Sequence, residues 1–121
     1  MSGMDMGSTS KSEQATLVPA NATGGGGKVT VALVKNQVHV DVRAEELTAG
    51  ERYSVHLHKG SCIAIGEIIR TIGDLTADAS GAGAVHLEYA GSSLPTHAFV
   101  DVHAAGGSEG PAVCGDLQPS G

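Results

Sequence analysis

Apolar residues recur at every second position through most of this chain, and glycines break the runs. Val29, Val31 and Leu33 alternate with Thr30 and Ala32, and Val38, Val40 and Val42 alternate with His39 and Asp41. Val85, Leu87 and Tyr89 alternate with His86 and Glu88. A period of two is the signature of a strand with one buried face. No segment carries a helical period, so the chain is predicted to be all-β. Lys35-Asn36 reads as a hairpin turn and Leu47-Thr48-Ala49-Gly50 as a loop. Residues 59–73 read as irregular, punctuated by Gly60, Gly66 and Gly73. Asp74 to Asp78 reads as a strand, Ala79-Ser80-Gly81 as a turn, and Gly83 to Tyr89 as the partner strand. His97 to His103 and Val113 to Leu117 complete the set. With 18 glycines for turns, this pattern predicts a Greek-key β-sandwich or barrel of about seven or eight antiparallel strands. One Phe, two Tyr and no Trp leave its core to Val, Leu, Ile and Ala.

Residues 1–27 lack this pattern. They mix Ser, Thr, Gly and Met and end in the four glycines 24–27, so they are expected to form an unfolded tether leading to a domain over 28–121. A tether of this kind suits membrane attachment through a processed N-terminus. The first residues are polar and lack the hydrophobic stretch of a signal peptide. The net charge of −6 argues against nucleic acid, which wants a basic face. No run approaches the roughly 20 apolar residues of a membrane-spanning helix. Two cysteines, Cys62 and Cys114, fit either free thiols in a reducing compartment or a disulfide in an oxidising one. Nothing in the chain specifies an oligomeric state.

The chemistry rests on histidines. In Tyr53-Ser54-Val55-His56-Leu57-His58, alternation sends Val55 and Leu57 to the core and both histidines to the other face. Two imidazoles side by side on a stiff strand make half of a metal site, for zinc or copper. His103 ends a second such run, Phe99-Val100-Asp101-Val102-His103. Alternation places none of the six histidines in the apolar core, so ordinary surface positions are the competing reading. His97 shares a face with His103 but lies roughly 20 Å away along an extended strand, too far to join it on one ion.

The surroundings of the pair add a resemblance. Leu47-Thr48-Ala49-Gly50, Ser54-Val55-His56-Leu57-His58, Cys62, Gly73-Asp74-Leu75 and Asp78-Ala79-Ser80-Gly81 occur in that order. Pro95 through Gly107 and Ala112-Val113-Cys114-Gly115-Asp116 follow. This ordered set, spanning residues 29–118, resembles the copper/zinc superoxide dismutase family, especially its bacterial extracytoplasmic branch. The resemblance implies copper, cycling between Cu(I) and Cu(II), held by His56, His58 and His103. It implies a Cys62–Cys114 disulfide and a periplasmic, cell-surface or secreted location, in some relatives as a lipoprotein. Asp101, two residues before His103, is expected to support a ligating imidazole from behind, as are backbone carbonyls of the irregular segment.

The chain also departs from that family. Cys62 to Gly73 reads Cys-Ile-Ala-Ile-Gly-Glu-Ile-Ile-Arg-Thr-Ile-Gly, with no histidine to bridge copper and zinc or to hold zinc. No zinc is therefore expected. Pro111 stands where the family has an anion-guiding arginine, and the loop before it shrinks to Gly106 through Gly110. Only Lys59 and Arg70 remain near the site to attract superoxide. The expected function is copper binding, storage or delivery, with a copper-only superoxide dismutase as the enzymatic alternative. A sandwich that binds a protein partner without metal is a third reading. Met1, Met4 and Met6 offer soft thioethers that suit Cu(I). Asn21-Ala22-Thr23 matches a glycosylation acceptor by composition only.

Overall fold

A computed structural model describes residues 11–20, 25–105 and 112–120. Met1, Met4, Met6, Asn21-Ala22-Thr23, Gly24, Gly106 through Gly110 and Pro111 lie outside the described residues. Nine strands run in chain order: β1 (Lys11–Pro19), β2 (Gly26–Val34), β3 (Gln37–Glu45), β4 (Arg52–Ser61), β5 (Ala64–Thr76), β6 (Gly83–Ala90), β7 (Ala98–Ala104), β8 (Val113–Asp116) and β9 (Gln118–Pro119). The described residues include no helix, and hence none long and apolar enough to cross a membrane.

All the strand pairs are antiparallel, in the order β5-β4-β7-β8-β1-β2-β3-β6, with the short β9 on β1. β7 returns past β5 and β6 to lie beside β4, which is the Greek-key connection expected from the sequence. The two ends of the path, β5 and β6, close the barrel by side chains. The Arg70 guanidinium sits 4.1 Å above the Tyr89 ring centre. At Gly73 (φ +148°) a Cβ would come within 2.8 Å of Val85 Cγ2, and at Gly83 within 2.7 Å of Leu75 Cδ1. Glycine at these two positions lets the strands approach.

The alternation predicted for β2 and β3 is observed. Val29, Val31, Val38, Val40 and Val42 are buried on one side of the barrel, facing Val55, Leu57, Val100, Val102 and Val113 from the other. Each such side chain contributes about 1.5–3 kcal/mol relative to exposure. Lys35 and Asn36 both have positive φ (51° and 64°), the geometry of a type I′ hairpin turn. The Leu47–Gly50 loop is anchored by the Thr48 N–H, which donates to the Tyr53 hydroxyl at 3.0 Å.

Three expectations need correction. The tether reading of 1–27 is wrong for Lys11–Pro19, which form β1, and for Gly26 and Gly27, which open β2. β1 fills the space between β2 and β8. Its inward residues, Glu13, Ala15 and Leu17, do alternate, but only two are apolar, so the signal is faint. The domain therefore begins by Lys11 rather than at residue 28. Second, residues 59–73 are not irregular: 59–61 finish β4, and 64–73 join the strand expected from Asp74. The whole of β5 pairs along β4, with register shifts after Val55, Leu57 and His58. Third, β6 does not pair with the strand before it. It pairs with β3, Val42 facing Val85, while the turn between β5 and β6 is held by Asp78, whose carboxylate accepts from the Ser80 and Ala82 N–H groups at 2.8 and 3.0 Å.

Glu13 is a polar residue on an inward face. Its Oε1 is buried without a hydrogen-bond partner among the described residues, and burial pushes its carboxyl above the usual carboxylate range. A raised pKa means that the folded state holds the proton more tightly than the unfolded chain. Stability from this group is full below the unfolded pKa, roughly 4.3, and is lost as pH rises through the folded value. Glu13→Gln is expected to be more stable than wild type at neutral pH, with the difference closing below about pH 4. Urea midpoints measured at both pH values check this.

Candidate metal centre

β4 and β7 carry the site. The core takes Val55, Leu57, Val100 and Val102, so period two sends His56, His58, Phe99, Asp101 and His103 to the opposite face. The β4–β7 register then decides the neighbours. His56 lies directly across from Asp101, His58 from Phe99, and Ser54 from His103. The rings of His56 and His58 are 6.0 Å apart and perpendicular, and those of His56 and His103 are 5.9 Å apart. His58 stacks on Phe99 at 4.8 Å, with 14° between the planes.

All three histidines meet, and Asp101 stands among them. His103 Nε2 is 2.9 Å and His58 Nε2 is 3.2 Å from Asp101 Oδ2, while His56 Nδ1 is 3.9 Å from Oδ1. One donor atom from each of the four residues lies within 4.8 Å of all the others. Four donors arranged tetrahedrally about 2.1 Å from an ion would be separated by roughly 3.4 Å, so the cluster needs only small side-chain rotations to close on a cation. Asp101, 1% exposed, accepts a hydrogen bond from His103 Nε2 at 2.9 Å through Oδ2, the support anticipated for it. Its carboxylate also lies within reach of the other two imidazoles, so it could serve as a fourth donor.

The hydrogen bonds orient the rings for this task. His58, 7% exposed, donates from Nδ1 to the Gly66 carbonyl at 2.9 Å, so in its neutral form Nε2 carries a lone pair towards the cluster. This is the backbone-carbonyl support anticipated from segment 59–73. His58 Nε2, His56 Nδ1 and Asp101 Oδ1 are all buried without a hydrogen-bond partner. Buried polar atoms in this condition are costly. Here two imidazole nitrogens and one carboxylate oxygen converge, a donor set that could hold a cation. Burial pulls the pKa of His56 below the usual imidazole range. Asp101 opposes that shift, and the rings of His103 and His58 add to it. The shift favours the neutral form of His56, the form able to ligate a metal.

The outer side of the cluster is lined by Ser54, Ile68, Ala104 and Ala105, small or uncharged residues that leave a shallow opening. Arg70 does not reach it. It lies across from the inward-facing Leu57 and covers Tyr89. His97 sits before β7 with φ +48° and is outside the cluster. Cys62, at the tip of the β4–β5 hairpin, is joined to Cys114 on β8, with the Cα atoms 6.0 Å apart. Of the two cysteine readings, the disulfide holds, and it belongs to an oxidising environment. No known protein-family profile matches the chain, and no curated protein matches its sequence significantly.

Proposed function

We propose that this protein binds one copper ion outside the cytoplasm, through His56, His58 and His103 with Asp101 as a fourth donor. The observation that carries the reading is the convergence of His58 Nε2, His56 Nδ1 and Asp101 Oδ1, all buried and none with a hydrogen-bond partner. The donor set contains nitrogen and oxygen but no sulfur. It favours a borderline divalent ion, and the carboxylate tilts the balance towards Cu(II) over Cu(I). Gly66 and Phe99 hold His58, and the β4–β7 ladder holds the other donors. The cluster is therefore built before any ion arrives. The disulfide and the copper/zinc superoxide dismutase-like motifs support a periplasmic, cell-surface or secreted setting.

Titration calorimetry with Cu(II) tests this. One tight equivalent is expected that weakens roughly 100-fold or more in His103→Ala, since loss of an outer supporting group alone costs 10–100-fold. The same equivalent is lost as pH falls through the imidazole range, because each ring must be unprotonated to ligate. Binding indifferent to His103 would overturn the proposal.

The opening at Ser54, Ile68, Ala104 and Ala105 favours a second reading, turnover of superoxide. Copper would supply the one-electron chemistry. The chain's own residues would admit the anion past an uncharged rim and orient the imidazoles, without a guiding arginine among the described residues lining that opening. Stopped-flow decay of superoxide with the copper-loaded protein decides this, and a rate no better than free copper rejects it.

A further inference from the structure

A second group of imidazoles and carboxylates lies on a different strand pair. The β3–β6 register sets His39 opposite Glu88 and Asp41 opposite His86. The other face of β3 is locked in the core by Val38, Val40 and Val42, and Val85 and Leu87 of β6 pack against it. The four polar side chains therefore rise together from a rigid ladder, with imidazoles on one diagonal and carboxylates on the other. His86 Nδ1 is 2.7 Å from Asp41 Oδ1, and His86 Nε2 is 2.9 Å from Glu88 Oε2. The same Glu88 oxygen is 3.4 Å from His39 Nδ1. The two rings are 6.1 Å apart, and the donor atoms of His39, His86 and Glu88 all fall within 4.8 Å of one another.

We propose that His39, His86 and Glu88 form a second divalent-cation site on the outer face of the β3–β6 pair, with Asp41 orienting His86. Two imidazoles and one carboxylate suit Zn(II) or Cu(II). They do not suit Ca(II) or Mg(II), which take oxygen, or Cu(I), which prefers softer donors. Asp41 accepts the Nδ1–H of His86, which leaves Nε2 to point at Glu88. This is the carboxylate–histidine arrangement that supports metal-bound imidazoles. The remaining coordination positions face solvent, so the ion exchanges freely.

The site has a structural consequence. β6 ends the path of paired strands, with β3 as its only ladder partner among the described residues. An ion held by His39 of β3 and by His86 and Glu88 of β6 ties that end strand to its neighbour. It stabilises the fold by mass action. It shares no residue with the β4–β7 cluster and does not use segment 62–73, so it stands or falls separately from the copper proposal.

The test uses Zn(II) on the full-length protein. Imidazole nitrogen resonances of His39 and His86 are expected to shift on Zn(II) addition, and equilibrium dialysis is expected to count one equivalent fewer in His86→Ala and in Glu88→Gln. Asp41→Asn keeps the equivalent but weakens it by about 10-fold. Zn(II) raises the thermal midpoint more in wild type than in His86→Ala. The proposal is overturned if the His39 and His86 resonances ignore Zn(II), or if both variants retain every equivalent at unchanged affinity. In that case the square is an ordinary hydrogen-bonded array around a protonated His86.

Discussion

Replacing both halves of the disulfide, as Cys62→Ser with Cys114→Ser, is expected to lower the folding free energy by about 4 kcal/mol. The two cysteines are separated by 52 positions. Cross-linking them removes the loop-closure entropy that an unfolded chain would otherwise enjoy. The loss extends to the site. Cys62 occupies the tip of the β4–β5 hairpin, and its N–H donates to the Asp116 carboxylate on β8 at 2.8 Å. Next to it, Ile63 is 97% exposed, so little apolar burial holds the tip in place. Gly66, whose carbonyl fixes the His58 ring, lies just beyond. Without the bridge, His58 loses part of its orientation, and Cu(II) affinity is expected to fall along with stability. Urea unfolding of the two forms measures the first effect and calorimetry the second. A double-serine variant as stable as wild type would show that the hairpin tip is held by other contacts.

Phe99→Ala is expected to cost about 3–5 kcal/mol. Phe99 is the one phenylalanine in the chain and heads the fully buried side chains by volume. It does not belong to the barrel interior. It lies on the outer face of β7, opposite His58, beneath the hairpin that the disulfide draws over β8. Removing the ring leaves a cavity under His58, which then keeps its bond to Gly66 and its contact with Asp101 but loses its stacking partner. Phe99→Leu separates packing from stacking. It should cost under about 1.5 kcal/mol in stability, as volume-conserving swaps do, yet still weaken copper binding if the stacked ring positions His58. Equilibrium unfolding followed by Cu(II) titration reads both. A cost for Phe99→Ala below about 1 kcal/mol would mean that the outer face of β7 collapses freely, against the tight burial seen there.

These two cases mark where reading along the chain stops. Alternation treats Phe99 and Asp101 as outward residues, because Val100 and Val102 are the better core candidates. The structure buries β7 on both faces, and that depends on a hairpin arriving from some 35 positions earlier in the chain. Similarly, β1 is nearly invisible as a strand. Glu13, Gln14 and Thr16 dilute the alternation of Ala15 and Leu17, and only the vacant edge between β2 and β8 explains why the segment is recruited. Strand pairing is a non-local choice, settled by which edges remain to be satisfied.

What the sequence determined by itself was local. Period two made the valines of β2 and β3 a core face, Lys35-Asn36 formed the primed turn, and His-x-His put two imidazoles on one face of one strand. The tertiary structure decided what that face would meet. The β4–β7 ladder set Asp101 across from His56 and brought its carboxylate within reach of all three imidazoles, because register assigns cross-strand neighbours and no spacing along the chain encodes register. The β3–β6 ladder did the same for His39, Asp41, His86 and Glu88. They looked like scattered surface charges until two strands more than 40 positions apart were laid side by side.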